Sequence, residues 1–110
     1  MLLHMEPHRL DVEIEGGAKS IVVAFLRRNE RFGEQKAALE RACADASPNV
    51  VCCLYDLDYF EAAVKKYQVW GTPTFLFFQG GRERQRVIGE MDDEGFVDFI
   101  AKGIARQEVE

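Results

Sequence analysis

Three cysteines, Cys43, Cys52 and Cys53, are the first candidates for chemistry in this chain. A thiolate attacks disulfides, binds zinc or acts as a nucleophile, and each task needs a particular spacing or environment. No two of these cysteines stand in Cys-x-x-Cys spacing, so neither a zinc site nor a local dithiol switch is expected. Cys52 and Cys53 are neighbours in an apolar run. On a strand their side chains point to opposite faces, and a bridge between adjacent residues is strained. Both read as small buried hydrophobes, and so does Cys43, which shares a helical face with Leu39 and Ala42. His4 and His8 have the i, i+4 spacing of paired metal ligands. Pro7 lies between them, His4 belongs to a short apolar stretch and no third ligand is apparent, so no metal is expected. Asp56 and Asp58 have the residue type for acid–base work. At the end of an apolar run they read instead as a helix cap with a solvated neighbour.

Two further groups have the composition of a binding surface. Arg27, Arg28 and Arg31 precede a helix start, where backbone N–H groups favour an anion or an acidic peptide. Glu30 and Glu34 dilute that charge toward an ordinary mixed surface. Trp70 stands just before Gly71-Thr72-Pro73. A tryptophan beside a groove is a typical interface anchor. Two readings stay open: Trp70 and Phe32 form the walls of a groove, or both close inward as core.

The elements that position these residues are read from periodicity. Residues 2–5 are a short apolar strand, and residues 7–14 a helix with Pro7 in its first turn, ended by Gly16-Gly17. The run 20–26 is continuously apolar and β-branched, the pattern of a strand buried on both faces. Asn29 is the expected cap of a helix over residues 30–46, with Phe32, Leu39, Ala42, Cys43 and Ala46 inward. Ser47-Pro48-Asn49 breaks it. A second central strand covers residues 50–55. Asp58 is expected to cap a short helix with Phe60, Val64 and Tyr67 inward. The strand 74–78, a Gly80-Gly81 hairpin and a strand 86–89 follow. Asp92 or Asp93 caps a last helix whose apolar face is Phe96, Phe99, Ile100 and Ile104. Two β-α-β crossovers and a hairpin imply an α/β mixed sheet with helices on both faces.

Residues 67–73, Tyr-Gln-Val-Trp-Gly-Thr-Pro, run into the apolar strand 74–78, preceded by Asp58 and followed by Gly80-Gly81 and Gly89. This stretch resembles the part of thioredoxins that carries their cis-proline, and the resemblance extends over residues 2–100 at family spacing. It implies a thioredoxin fold: a three-layer α/β/α sandwich with a mixed central sheet, in a single domain over residues 1–110. The departures bear on function. The family's two redox cysteines fall at about Glu30 and Gly33. Its buried acidic residue falls at Ala24, its buried lysine near Leu54 and the tryptophan before its redox loop at Leu26. A buried charge without a task only costs stability, so losing the carboxylate with the thiols is self-consistent.

The resemblance implies a non-catalytic protein- or peptide-binding adaptor or chaperone-like module. In relatives the backbone just before the cis-proline hydrogen-bonds an extended peptide. The corresponding groove here is Trp70, Gly71, Thr72, Pro73, Phe32 and Arg31, with no catalytic residue and no cofactor. The alternatives are a thiol–disulfide oxidoreductase working through a remaining cysteine and a homodimerising structural domain. A helix N-terminus or nearby cation is what lowers a thiol's pKa, and none of the three cysteines reads as placed at one. Bulk properties narrow the partners. With 110 residues, 47% hydrophobic and 30% charged, the chain suits one globular core. A net charge of −5 argues against nucleic acid. No apolar run approaches the roughly 20 residues of a membrane span. Residues 1–7 carry no export signature, so a cytoplasmic location with free thiols is expected.

Overall fold

The computed structural model describes residues 2–16, 20–46 and 48–109, with side chains to residue 105. Its elements in order are β1 (Leu3–Met5), α1 (Pro7–Gly16), β2 (Ser20–Phe25), α2 (Phe32–Ala44) and β3 (Val50–Tyr55). A 3-10 turn (Leu57–Tyr59), α3 (Phe60–Tyr67), β4 (Thr74–Gln79), β5 (Arg82–Ile88) and α4 (Asp93–Val109) follow. The strands form one sheet in the order β1-β3-β2-β4-β5. β1 and β2 run parallel to β3, while β4 is antiparallel to β2 and β5 to β4. The expected α/β thioredoxin fold, with its mixed sheet between helices, is the observed one.

Alternation along the strands sorts the core into two layers. Val22, Ala24, Cys52, Leu54, Phe75 and Phe77 face Leu39 and Ala42 of α2 and Phe96, Phe99 and Ile100 of α4. Ile21, Val23, Phe25, Cys53, Tyr55, Leu76 and Phe78 face Leu10 and Ile14 of α1 and Ala63 of α3. β2 is buried at every position because both of its faces are covered. The Gly80-Gly81 hairpin has φ of 63° and 78°, a left-handed pair that glycine adopts without a Cβ clash. Asp92 accepts from Gly95 N–H at 2.7 Å and caps α4.

Several sequence expectations shift. Asn29 does not cap α2. Its side chain accepts from Arg31 N–H at 2.9 Å and its carbonyl from Phe32 N–H at 3.1 Å. That is a local turn, and it delays the helix to Phe32 with Arg31 in the cap position. Asp56, not Asp58, caps the turn after β3, its carboxylate accepting from Asp58 N–H at 3.0 Å. In α3 the fully buried residue is Ala63, while Phe60, Val64 and Tyr67 are half-buried. β5 begins at Arg82 and not Arg86, because the two-residue hairpin lets pairing resume at once; a bulge lies opposite Phe77 and Phe78. α2 ends at Ala44, before the expected break, and Gly17 and Ser47 lie outside the described residues.

The largest correction concerns the thiols. Cys43 and Cys52, both read as unpaired core residues, form a disulfide with Cα atoms 6.5 Å apart. α2 lies across the sheet with its last turn over β3, so the two residues meet although nine positions separate them. Cys53 points into the other layer and is free and buried, as strand alternation requires.

Candidate functional site

The Thr72–Pro73 peptide is cis. The turn around it is tied to its neighbours on both sides. Thr74 Oγ1 donates to the Gly71 carbonyl at 2.7 Å, and Gly89 N–H donates to the Pro73 carbonyl at 2.9 Å. Gly89 has φ of 111°, which a side chain would resist. Thr72, between these anchors, has neither its backbone N–H nor its carbonyl paired among the described residues. Both groups are left for solvent or a ligand.

Opposite this turn lie the segment before α2 and its first turns. Leu26, Arg27, Asn29, Arg31, Phe32 and Gln35 line a small cleft with Thr72, Pro73 and Glu90. Its volume is about 10 Å³, room for about one water molecule and no side chain. Of the residues expected to form the groove, Arg31, Phe32, Thr72 and Pro73 come together here. Gly71 and Trp70 do not line the cleft. Trp70 is 79% exposed, so the reading in which it closes inward as core fails. Phe32 does turn inward and packs on the layer under α2. Glu30 and Gly33, where the resemblance places the redox cysteines, are both exposed, Glu30 in the turn and Gly33 in the first turn of α2.

Leu26 is the buried apolar residue of the lining, and in the core Ala24 pairs with Leu54 across β2 and β3. The positions to which the resemblance assigns a buried acid and a buried lysine hold hydrocarbon. Gln35, which no local pattern singles out, is the polar group that organises the region. It is 4% exposed. Its amide donates to the Met91 carbonyl at 2.8 Å and accepts from Met91 N–H at 3.0 Å, joining α2 to the segment before α4. The i, i+4 step from Arg31 to Gln35 is the one sequence cue: it puts both on the face that borders the cleft.

The three arginines have different fates. Arg31 pairs with Glu34 and, through Nε at 3.1 Å, with Glu90. The Arg27 guanidinium lies 4.8 Å from the centre of the Phe60 ring, and that of Arg28 lies 5.0 Å from the Phe32 ring. Both contacts are cation–π in geometry. Neither Arg27 nor Arg28 has a carboxylate partner among the described residues. Arg27 therefore lines the cleft as an exposed cation beside the ion-paired Arg31, and Arg28 lies against the Phe32 ring next to it.

The thiols do not converge on this place. Cys43 sits in the last turn of α2, at the end opposite Arg31 and Phe32. Burial, reinforced by the Glu13 charge and partly offset by Arg9, pushes the Cys53 thiol up to about 12, so it stays protonated. Among the described residues no group of histidine, cysteine and carboxylate side chains is arranged to hold a metal, and no helix is long and apolar enough to cross a membrane.

The profile of the thioredoxin family, described as "Thioredoxin", matches residues 34–102, beginning just past Gly33. No curated protein matches the chain. Among solved structures, the crystal structure of chloroplastic thioredoxin z, described as defining a novel type-specific target recognition, superposes with a TM-score of 0.79. The likeness covers 94% of this chain and 95% of that one at 15% identity, a level that speaks for the fold alone. The profile spans well over half of the residues, and the chain belongs to the thioredoxin family.

Proposed function

We propose that this protein is a non-catalytic member of its family that holds an extended segment of another protein across the Thr72–Pro73 turn. The observation that carries the reading is the pairing of Thr72, whose backbone donor and acceptor are both unused among the described residues, with Trp70, which is 79% exposed two positions before it. An incoming strand would exchange backbone hydrogen bonds with Thr72 and lay an apolar side chain on Trp70. The cleft of about 10 Å³ takes no side chain, so the segment crosses its mouth and does not plug it. Arg27 and Arg28, stacked on rings and without a carboxylate partner among the described residues, favour an acidic residue in the segment. Glu30 and Gly33 where the resemblance places a dithiol, and the buried Ala24 and Leu54 where it places an acid and a lysine, support binding over turnover.

The Cys43–Cys52 disulfide favours a second reading, a thiol–disulfide oxidoreductase. A redox-active thiolate draws stabilisation from a helix N-terminus or a cation. Cys43 is instead at the C-terminal, negative end of α2, where a thiolate gains nothing from the helix field. The two readings part in a reductase assay on a generic protein disulfide with dithiothreitol. Binding without catalysis gives the rate of dithiothreitol alone. A rate well above it, lost in Cys43→Ser, replaces the first reading with the second.

A further inference from the structure

We propose that the hollow between α1, the end of α3 and the β4–β5 hairpin is a binding site for a small organic cation, a singly charged alkyl- or arylalkylammonium. The inference is independent of peptide binding, because no residue lines both this hollow and the cleft at Thr72–Pro73. The hollow has a volume of about 330 Å³, within the range of small-ligand pockets.

The apolar part of its wall is Ile14, Tyr67 and Phe78. The Tyr67 and Phe78 rings meet edge to face with centroids 5.9 Å apart. That corner suits a hydrocarbon body, and its ring faces attract the positive end of an ammonium.

The polar part sets the charge of the ligand. Asp11, Glu15 and Glu83 line the hollow against one cation, Lys66. Arg86 neutralises Glu83 through two contacts of 2.8 Å. Lys66 Nζ lies 3.6 Å from one Asp11 oxygen, and the other oxygen accepts from the Tyr67 hydroxyl. Glu15 is exposed and has no cation partner among the described residues. With Asp11 set against Lys66 and Glu83 against Arg86, one negative charge is left over. Lys66 also shows the kind of cation these acids take, a primary ammonium. It is held at the edge of contact, and both side chains of the pair reach solvent. Beside Tyr67, with ring centroids 6.2 Å apart, the buried Tyr55 hydroxyl has no hydrogen-bond partner among the described residues. Asp11 is the foremost charge acting on it. A ligand ammonium competes with Lys66 for Asp11, meets Glu15 unopposed and lays its hydrocarbon on Phe78 and Tyr67.

The test titrates phenethylammonium chloride into the full chain and follows the backbone amides by NMR. Two probes of the same skeleton, neutral 2-phenylethanol and anionic 3-phenylpropionate, run alongside. Saturable shifts centred on residues 11–15, 66–68 and 78–83 are expected with the ammonium and not with the other two. Exposed charges of this kind contribute up to about 1 kcal/mol, a factor of about five. Glu15→Gln is therefore expected to weaken binding about threefold to fivefold, and Lys66→Ala, which removes the competing cation, to tighten it by a similar factor. Both side chains are exposed, so both variants are expected to keep the wild-type thermal midpoint. Opposite shifts in affinity at constant stability are what a site of this charge requires. Absence of saturable shifts, shifts centred elsewhere, equal binding of 2-phenylethanol, or Glu15→Gln binding as well as the wild type would each overturn the proposal.

Discussion

Cys53 shows how one buried side chain writes itself into stability. Its thiol is pushed up from 9.0 to about 12, first by burial and then by Glu13. The fold therefore favours the neutral form. In the unfolded chain the proton leaves from about pH 9, and in the folded chain only near 12. The stabilisation is complete below pH 9 and is lost as pH rises from there. Tyr55, raised to about 12 by burial and then by Asp11 and Asp56, acts in the same direction. Urea unfolding across this range is expected to show a shallower alkaline decline for Cys53→Ala than for the wild type; identical declines would remove Cys53 from the account. Gly103 gives a second residue-scale prediction. A Cβ there would fall 2.5 Å from carbons of the buried Phe77 ring. Replacing a helix-interior glycine by alanine ordinarily gains about 1 kcal/mol, and overpacking a dense core costs about 1–3 kcal/mol. The second effect wins against a ring with no room to retreat. Gly103→Ala is expected to lower the thermal midpoint, and a raised midpoint would show that α4 slides outward freely.

At the scale of elements, the cleft depends on how α2 is pinned to the segment before α4. Gln35 supplies both hydrogen bonds of the Met91 backbone in a nearly dry setting. Gln35→Leu keeps the volume and strands a buried donor and a buried acceptor. The expected loss is about 2 kcal/mol or more, read as a lower urea midpoint at unchanged slope. A loss under about 0.5 kcal/mol would mean that water replaces the amide. The neighbouring ion pairs, Arg31 with Glu90 and Arg41 with Asp93, are exposed and contribute little by comparison. The elements themselves were legible in the sequence. The β-branched run of β2, the glycine pair of the hairpin and the apolar face of α4 each state a local rule that the fold obeys. The tie between Cys43 and Cys52 was not legible, because it depends on α2 crossing β3 and has no signature in local spacing. Gln35 was invisible for the same reason: a polar residue in a helix reads as surface until the segment that covers it is known. Asn29 delayed the start of α2 by bonding within its own turn, which competes with capping, and Asp56 took the cap expected of Asp58.

In the molecule as a whole, the chain has the thioredoxin fold, with the Thr72–Pro73 turn facing the segment before α2. Of the groove read from the sequence, Arg31, Phe32, Thr72 and Pro73 meet, and Trp70 stands outside them as an exposed ring. That arrangement sets a clear division between folding and recognition. Trp70 makes no part of either core layer, so its removal is expected to leave the thermal midpoint where it is. The decisive experiment is selection of a displayed library of extended peptides on the wild type, with each selected peptide then titrated into Trp70→Ala. The expected peptides pair an apolar with an acidic residue, and lose about tenfold or more in affinity for the variant at unchanged stability. A library that yields no peptide above background, or peptides that bind Trp70→Ala as well as the wild type, would contradict the proposed function.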